Sequence, residues 1–291
     1  MIVVAPGKLV LLGEYAVLDG APAVVAAVDR GVRCTVAPGD GLQVVTPTGD
    51  DRFARAALEA VGAPPGRYTF ADERAAPLPG GDKPGLGGSA AATVAAVLAG
   101  HLAAGRDVGR RERLEQALRV HRAVQGSGSG VDVAASTWGG VIRWVTGAEP
   151  EALPPPGAAL AVVWSGASAR TGPRVAQYLA CPAREAFVAR SREAVARFAS
   201  EPVAAVRDAW AALVAMAEAA DLAYRTPGID ALVALAAEHG GAAKPSGAGG
   251  GDVVIALFDA PAPRDRFARR ATEAGYAVLE TGIAPAAARV G

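Results

Sequence analysis

Apolar positions in this chain fall into short dense runs punctuated by glycine and proline. Ile2–Ala5 reads as a strand, and after the Pro6-Gly7 turn a second apolar run follows at Lys8–Leu12. Gly13-Glu14-Tyr15-Ala16-Val17-Leu18-Asp19-Gly20 breaks that run, and Pro22–Val28 resumes a buried apolar stretch. Arg33–Ala37 and Leu42–Thr46 read as strands around the Pro38-Gly39-Asp40-Gly41 turn. Helical spacing over Asp51–Val61 ends at Gly62, and residues 63–82, rich in Pro and Gly, supply loop and a short strand. The Ala-rich segment after Ser89 predicts a helix ending near Gly105, with Ser89 as its N-cap. Arg110–Gln125 predicts a second helix with Leu114, Ala117, Leu118 and His121 near one face. Val141–Val145, Ala158–Trp164, Val253–Phe258 and Ala277–Thr281 read as strands. Pro182–Phe198, Pro202–Ala220, Ile229–His239 and Arg264–Ala274 carry helical patterns.

Strands mixed with helices, without strict alternation, indicate an α+β fold. A chain of 291 residues is long for one core. Pro150 and Pro154-Pro155-Pro156 mark the boundary between two expected domains, 1–153 and 154–291.

Composition narrows the chemistry. The 29 basic and 29 acidic residues cancel, which weakens the case for nucleic acid, a partner that needs a basic face. No apolar run approaches the ~20 residues of a membrane span, and the N-terminus lacks the features of a signal peptide. Cys34 and Cys181 are isolated, so a reducing cytoplasm is expected. His101, His121 and His239 have no metal-ligand spacing. Only three of the basic residues are Lys, and Lys8, Lys83 and Lys244 each lie beside glycine. A compact ammonium serves phosphate oxygens as a point charge. The three therefore suggest one phosphate-handling site drawn from distant parts of the chain, chance placement being the alternative.

The segment Lys83-Pro84-Gly85-Leu86-Gly87-Gly88-Ser89-Ala90-Ala91 runs straight into the first long helix. Such a loop gathers free N–H groups at the positive end of the helix dipole, an anion site. It has neither the Gly-Lys-Ser/Thr ending of a P-loop nor the setting of a Rossmann turn. A kinase acting on a small alcohol or phosphate needs such a cradle, a cation at the transferring group and a group to handle the acceptor. Ser89 offers a hydroxyl for phosphate or metal, Lys8 the cation, and Asp132 a carboxylate inside Gly126-Ser127-Gly128-Ser129-Gly130-Val131-Asp132. Asp132 also reads as an ordinary turn or cap aspartate. Ser168, Arg170, Lys244 and Ser246 are polar groups on strand-end loops that could meet the acceptor or simply face solvent.

Pro6-Gly7-Lys8 through Gly13-Glu14-Tyr15-Ala16-Val17, Gly85 through Ala91, and Lys244 through Asp252 together resemble the three ordered motifs of the GHMP small-molecule kinases. The resemblance implies an N-terminal domain like ribosomal protein S5 domain 2, a ferredoxin-like C-terminal GHMP kinase domain and an active site in the cleft between them. It places ATP on Lys83, Gly85, Leu86, Gly87, Gly88, Ser89 and Ala90, Mg2+ near Ser89, and Lys8 with Asp132 at the transferred phosphoryl group. It puts Glu14, Tyr15, Ser129, Ser168, Arg170, Lys244, Ser246 and Gly247 on the acceptor side. Within the family, the motif spelling is most similar to the phosphomevalonate kinases, mevalonate kinases next. Gly88 departs from the usual first Ser of the loop. His121 stands eleven residues before Asp132, where mevalonate kinases place a metal-binding Glu. The implied activity is ATP-dependent phosphorylation of 5-phosphomevalonate by a monomer or homodimer, with mevalonate as the alternative acceptor. A nucleotide- or metabolite-binding sensor without turnover is a reading of another class. Structural glycine turns in an unrelated α+β protein are the fourth.

Overall fold

The computed structural model describes residues 1–73, 78, 84–169 and 172–290. Two long antiparallel strands, β1 (Ile2–Leu12) and β2 (Ala23–Ala37), form the spine of a seven-stranded sheet. Beyond β2 lies β4 (Gly66–Asp72), which pairs in parallel with β3 (Leu42–Val45). β5 (Val141–Trp144) takes the other end of β2 and holds β6 (Glu151–Leu153). The two runs at Ile2–Ala5 and Lys8–Leu12 are thus one strand, and its ladder shifts register between Ala5 and Gly7, where Pro6 has no N–H to donate. The Pro38–Gly41 turn does not close a hairpin, because β3 pairs with β4 and not with β2.

Four helices cover this sheet: α1 (Arg52–Ala60), α2 (Gly88–Ala103), α3 (Arg110–Gln125) and α4 (Val131–Trp138). In α2, Thr93 through His101 are all buried, as expected for a helix apolar on every side. Its small side chains let it lie close to β1 and β2, so its N-terminus is held rigidly against the sheet.

The second unit is a three-stranded antiparallel sheet of β7 (Ala159–Trp164), β8 (Ala242–Pro245) and β9 (Val253–Phe258) in the order β7-β9-β8. The segment read as a strand at Ala277–Thr281 makes a single bridge, Val163 to Val278, on the open edge of β7. That position completes the strand order of a ferredoxin-like fold. The last strand is instead β10 (Ala288–Val290), which returns to pair with β1 and ties the chain's end to the first sheet. Helices α5 (Gly172–Leu179), α6 (Arg184–Arg197), α7 (Pro202–Ala219), α8 (Pro227–Glu238) and α9 (Pro261–Glu273) complete the unit. The architecture is α+β.

Alternation along β9 welds the halves together. Val254, Ala256 and Phe258 pack under α8 and α9 with Ile229, Leu232 and Phe267. Val253, Ile255 and Leu257 share a core with Leu9, Leu11, Leu12, Val24 and Ala26 of the first sheet. Each such side chain contributes about 1.5–3 kcal/mol on burial, so the cleft between the units has a fixed floor. Among the described residues no helix is long and apolar enough to cross a membrane.

Candidate active site

The site begins where the glycine loop enters α2. Ala91 is the first residue to bond back, to the Gly87 carbonyl at 3.0 Å. The N–H groups of Gly88, Ser89 and Ala90 therefore lie outside the helix's own hydrogen bonds. The N-cap is Gly87, in the left-handed conformation at φ 77°, which glycine adopts without strain. Ser89 is consequently the second helical residue and not the cap, and its Oγ is hydrogen-bonded to His121 Nε2 at 3.2 Å. Leu86 turns inward, its side chain joining the core while its carbonyl accepts from the Lys8 N–H at 2.9 Å. A Cβ on Gly85 would lie 2.5 Å from the Asp252 carboxylate, so the second and third glycine segments close directly on each other.

Lys8 and Asp132 meet beside this loop. Lys8 Nζ lies 3.8 Å from Asp132 Oδ1 and donates to the Gly85 carbonyl at 3.4 Å. A Cβ on Gly87 would stand 2.9 Å from Lys8 Cγ and 3.6 Å from Asp132 Cβ. Asp132 is the second residue of α4, whose N-cap Gly130 is also left-handed at φ 77°. Two positive helix ends thus converge on one lysine. Burial pushes the His121 imidazole below its ordinary 6.5, with the Asp132 charge drawing it partly back. The ring therefore stays neutral near pH 7, stacked 5.0 Å from Phe53.

On the far side of Lys8 and Asp132 opens a cavity of about 390 Å³. Glu14 and Tyr15 line it, as do Ser129, Gly247 and Ala248. Tyr15 has φ 60° and donates from its hydroxyl to the Ala248 carbonyl at 2.6 Å, joining the first and third motifs across the opening. The Ser129 carbonyl accepts from Trp144 Nε1 at 3.0 Å and Thr146 Oγ1 at 3.2 Å, which fixes the turn before Asp132. None of residues 84–90 lines this cavity. The glycine loop and the cavity are adjoining compartments with Lys8 and Asp132 at their boundary.

Lys244 and Ser246 lie beneath the cavity and do not line it. Lys244 is fully buried; its ammonium pairs with Glu14 Oε1 and donates to the Pro245 carbonyl at 2.8 Å and the Val10 carbonyl at 3.5 Å. Ser246 Oγ accepts from the Val10 N–H at 2.8 Å. Both serve the point where the β1–β2 ladder shifts register between Val10 and Leu12. Lys244 is therefore a structural cation that holds the Glu14 carboxylate, not one presented to an acceptor. Ser168 is exposed beside Gly251, outside the cavity. Lys83 and Arg170 lie outside the described residues.

Sequence reasoning missed a set of cavity residues on α3: Arg119, Arg122 and Gln125, with Ser127 in the following turn. Their signal was present as i, i+3 and i+6 spacing around His121. It was masked because Leu114 and Ala117 drew attention to the buried face.

Among the described residues no three or more His, Cys, Asp and Glu side chains are grouped to hold a metal ion. Beside Lys8 and the start of α2 the donors are one carboxylate, Asp132, and one hydroxyl, Ser89; a second carboxylate, Asp252, packs on Gly85 and accepts from the Ala169 N–H at 3.0 Å. Asp132 is one-third exposed, and its oxygen lies beyond hydrogen-bond range of Lys8, so its lone pairs are open. Mg2+ typically takes one or two carboxylates plus substrate phosphates. This donor set fits a Mg2+ carried in on a nucleotide.

Comparison with known proteins gives the same picture. Residues 74–140 match the family described as GHMP kinases N terminal domain, and residues 183–277 match GHMP kinases C terminal. A phosphomevalonate kinase from Streptomyces sp. (strain CL190) is 32% identical, the match covering 90% of each chain. A mevalonate kinase from Archaeoglobus fulgidus is 28% identical over 96% of this chain and 100% of its own. The solved Streptococcus pneumoniae phosphomevalonate kinase, in complex with phosphomevalonate and AMPPNP, superposes with a TM-score of 0.84. At 20% identity, over 97% of this chain and 99% of that one, it supports the fold alone. With both family domains matched and a full-length relative above 30% identity, the chain belongs to the GHMP kinases and is a phosphotransferase.

Proposed function

We propose that this kinase transfers the γ-phosphoryl of ATP to (R)-5-phosphomevalonate, forming the diphosphate in an isoprenoid pathway. The observation that carries the reading is Lys8 and Asp132, 3.8 Å apart, standing between a helix-start glycine loop and a separate cavity. ATP's phosphates would lie on the N–H groups of Gly88, Ser89 and Ala90, and the acceptor would fill the cavity floored by Glu14 and Tyr15. Lys8, held by the Gly85 carbonyl, places positive charge where charge accumulates on the transferring group. Asp132 orients the acceptor; a phosphate with a second pKa near ~6 is already largely ionised at pH 7 and needs little proton removal. Mg2+, held by Ser89 and Asp132, would neutralise nucleotide phosphate oxygens when bound. The related mevalonate kinases make mevalonate the second acceptor to test.

Steady-state kinetics of Lys8→Met and Asp132→Asn test the arrangement. Removing a preorganised charge at the transferring group costs about 10²–10³ in kcat, and the same order is expected here with the melting temperature nearly unchanged. Turnover within a few-fold of wild type in both variants would overturn the assignment.

A further inference from the structure

We infer that Arg119 and Arg122 form a two-guanidinium clamp on the acceptor's own phosphate and select a phosphorylated acceptor over a free alcohol. This rests on the proposed function and specifies how its substrate class is chosen. Both arginines line the cavity, three residues apart and so on one face of α3. Neither has a hydrogen-bond or ion-pair partner among the described residues, whereas Arg111 on the same helix pairs with Glu115 at 3.2 Å. Arginines near a helix C-terminus often do no more than face water and complement the dipole. Here the charge around them argues otherwise.

The cavity wall carries Lys8, Arg119 and Arg122 against Glu14 and Asp132. Lys244 already neutralises Glu14 from below, which leaves the wall a cationic surplus. The start of α4 adds the N–H groups of Val131 to Val133, since Ala134 is the first to bond back, to Gly130 at 2.9 Å. A hydroxyl gains little from this field at its reacting oxygen; a phosphate dianion gains at every oxygen. Phosphoryl transfer between two phosphates also brings like charges together, so the acceptor phosphate must be neutralised on the side away from ATP. Arg119 and Arg122 line this cavity, and its lining includes no residue of the glycine loop. Leu118 anchors the clamp: a Cβ on Gly130 would lie 2.5 Å from its Cδ2, so α3 rests against the turn that carries Asp132. The planar guanidinium fork suits two phosphate oxygens at once.

The test is calorimetric binding to wild type, Arg119→Met, Arg122→Met, the double Met variant and the double Lys variant. The ligands are 5-phosphomevalonate, mevalonate and a non-hydrolysable ATP analogue. The double Met variant is expected to bind 5-phosphomevalonate at least 30-fold more weakly, with the other two ligands within three-fold and melting unchanged. The double Lys variant should recover part of the loss. Unchanged 5-phosphomevalonate affinity in the double Met variant would overturn the clamp. An equal loss for the ATP analogue would reassign the arginines to the nucleotide, and an equal loss for mevalonate would reassign them to its carboxylate; either overturns the inference. Binding is read without turnover, so the clamp is judged separately from the proposed function, which fails if wild type phosphorylates mevalonate and not 5-phosphomevalonate.

Discussion

Replacing Lys244 by Met isolates the buried ion pair under the cavity. Lys244 is 0% exposed and Glu14 5% exposed, and Glu14 Oε2 has no hydrogen-bond partner among the described residues. Loss of the ammonium leaves a buried carboxylate with neither oxygen compensated. Breaking a buried pair in this way costs about 3–5 kcal/mol. At roughly 2–4 °C per kcal/mol for a chain of this size class, the melting temperature should fall by about 6–20 °C. Adding Glu14→Gln removes the stranded charge and should return at least ~2 kcal/mol, a coupling typical of contacting residues. Alkaline pH supplies a second arm. Burial holds the Lys244 pKa below its ordinary 10.5, against the pull of Glu14. Between that lowered value and 10.5 the unfolded chain holds the extra proton, so wild-type stability from this group rises with pH across the window. Lys244→Met should lose that rise. Thermal melts by circular dichroism at stepped pH read both effects, and acceptor and ATP KM values read the site. Because Lys244 supports Glu14 from below, acceptor KM should rise while ATP KM holds. A Lys244→Met enzyme less than 1 kcal/mol destabilised, with unchanged acceptor KM, would refute the structural role assigned to this cation.

Three further outcomes follow from local structure. Gly87→Ala, at φ 77° with its Cβ 2.9 Å from Lys8 Cγ, should cost about 1–2 kcal/mol in left-handed backbone strain and displace Lys8. A misplacement of ~1 Å lowers turnover about 100-fold, whereas Gly88→Ala, where a Cβ meets no protein atom within 4 Å, should leave the melting temperature unchanged; Gly87→Ala turnover within a few-fold of wild type would contradict the placement of Lys8. In the cluster where Tyr15 lies 5.1 Å from Tyr178 and 6.4 Å from Tyr224, burial raises all three pKa values above 10.0. Their neutral forms stabilise the fold fully below pH 10, and that stability is lost as pH climbs above it, visible as alkaline unfolding by tyrosine absorbance. Tyr224→Phe removes a buried hydroxyl without a partner among the described residues and should raise the melting temperature slightly; a drop of several degrees would reveal a bond that Tyr224 makes.

Much of this was legible because glycine placement encodes backbone constraints directly. The loop at Gly85–Ser89 had to open a helix, and it does; the glycine-rich turn at Gly126–Asp132 also opens one, α4, which its short small-residue run did not announce. α3 and β9 occupy the residues their periodicity indicated. What sequence could not give was direction. Lys244 shares its glycine neighbourhood with Lys8, yet it lies on β8, and register in a strand decides which way an ammonium points. Ser89 lost the cap to Gly87 because a left-handed entry suits glycine better than serine. Helix α5, which opens with Gly172-Pro173, had no place among the helical patterns, although Pro is tolerated in a first helical turn. The terminal strand was displaced from Ala277–Thr281 to Ala288–Val290 because pairing with β1 is a long-range contact that local pattern does not carry.

The most direct measurement of the central claim is a competition in one vessel. Equal mevalonate and 5-phosphomevalonate are offered with Mg2+ and limiting ATP radiolabelled in its γ-phosphate, and products are separated and counted by the label they carry, so that a labelled monophosphate comes only from mevalonate. The account expects the diphosphate to exceed the monophosphate product at least 100-fold. A monophosphate majority, or phosphoryl transfer to neither acceptor, would contradict it.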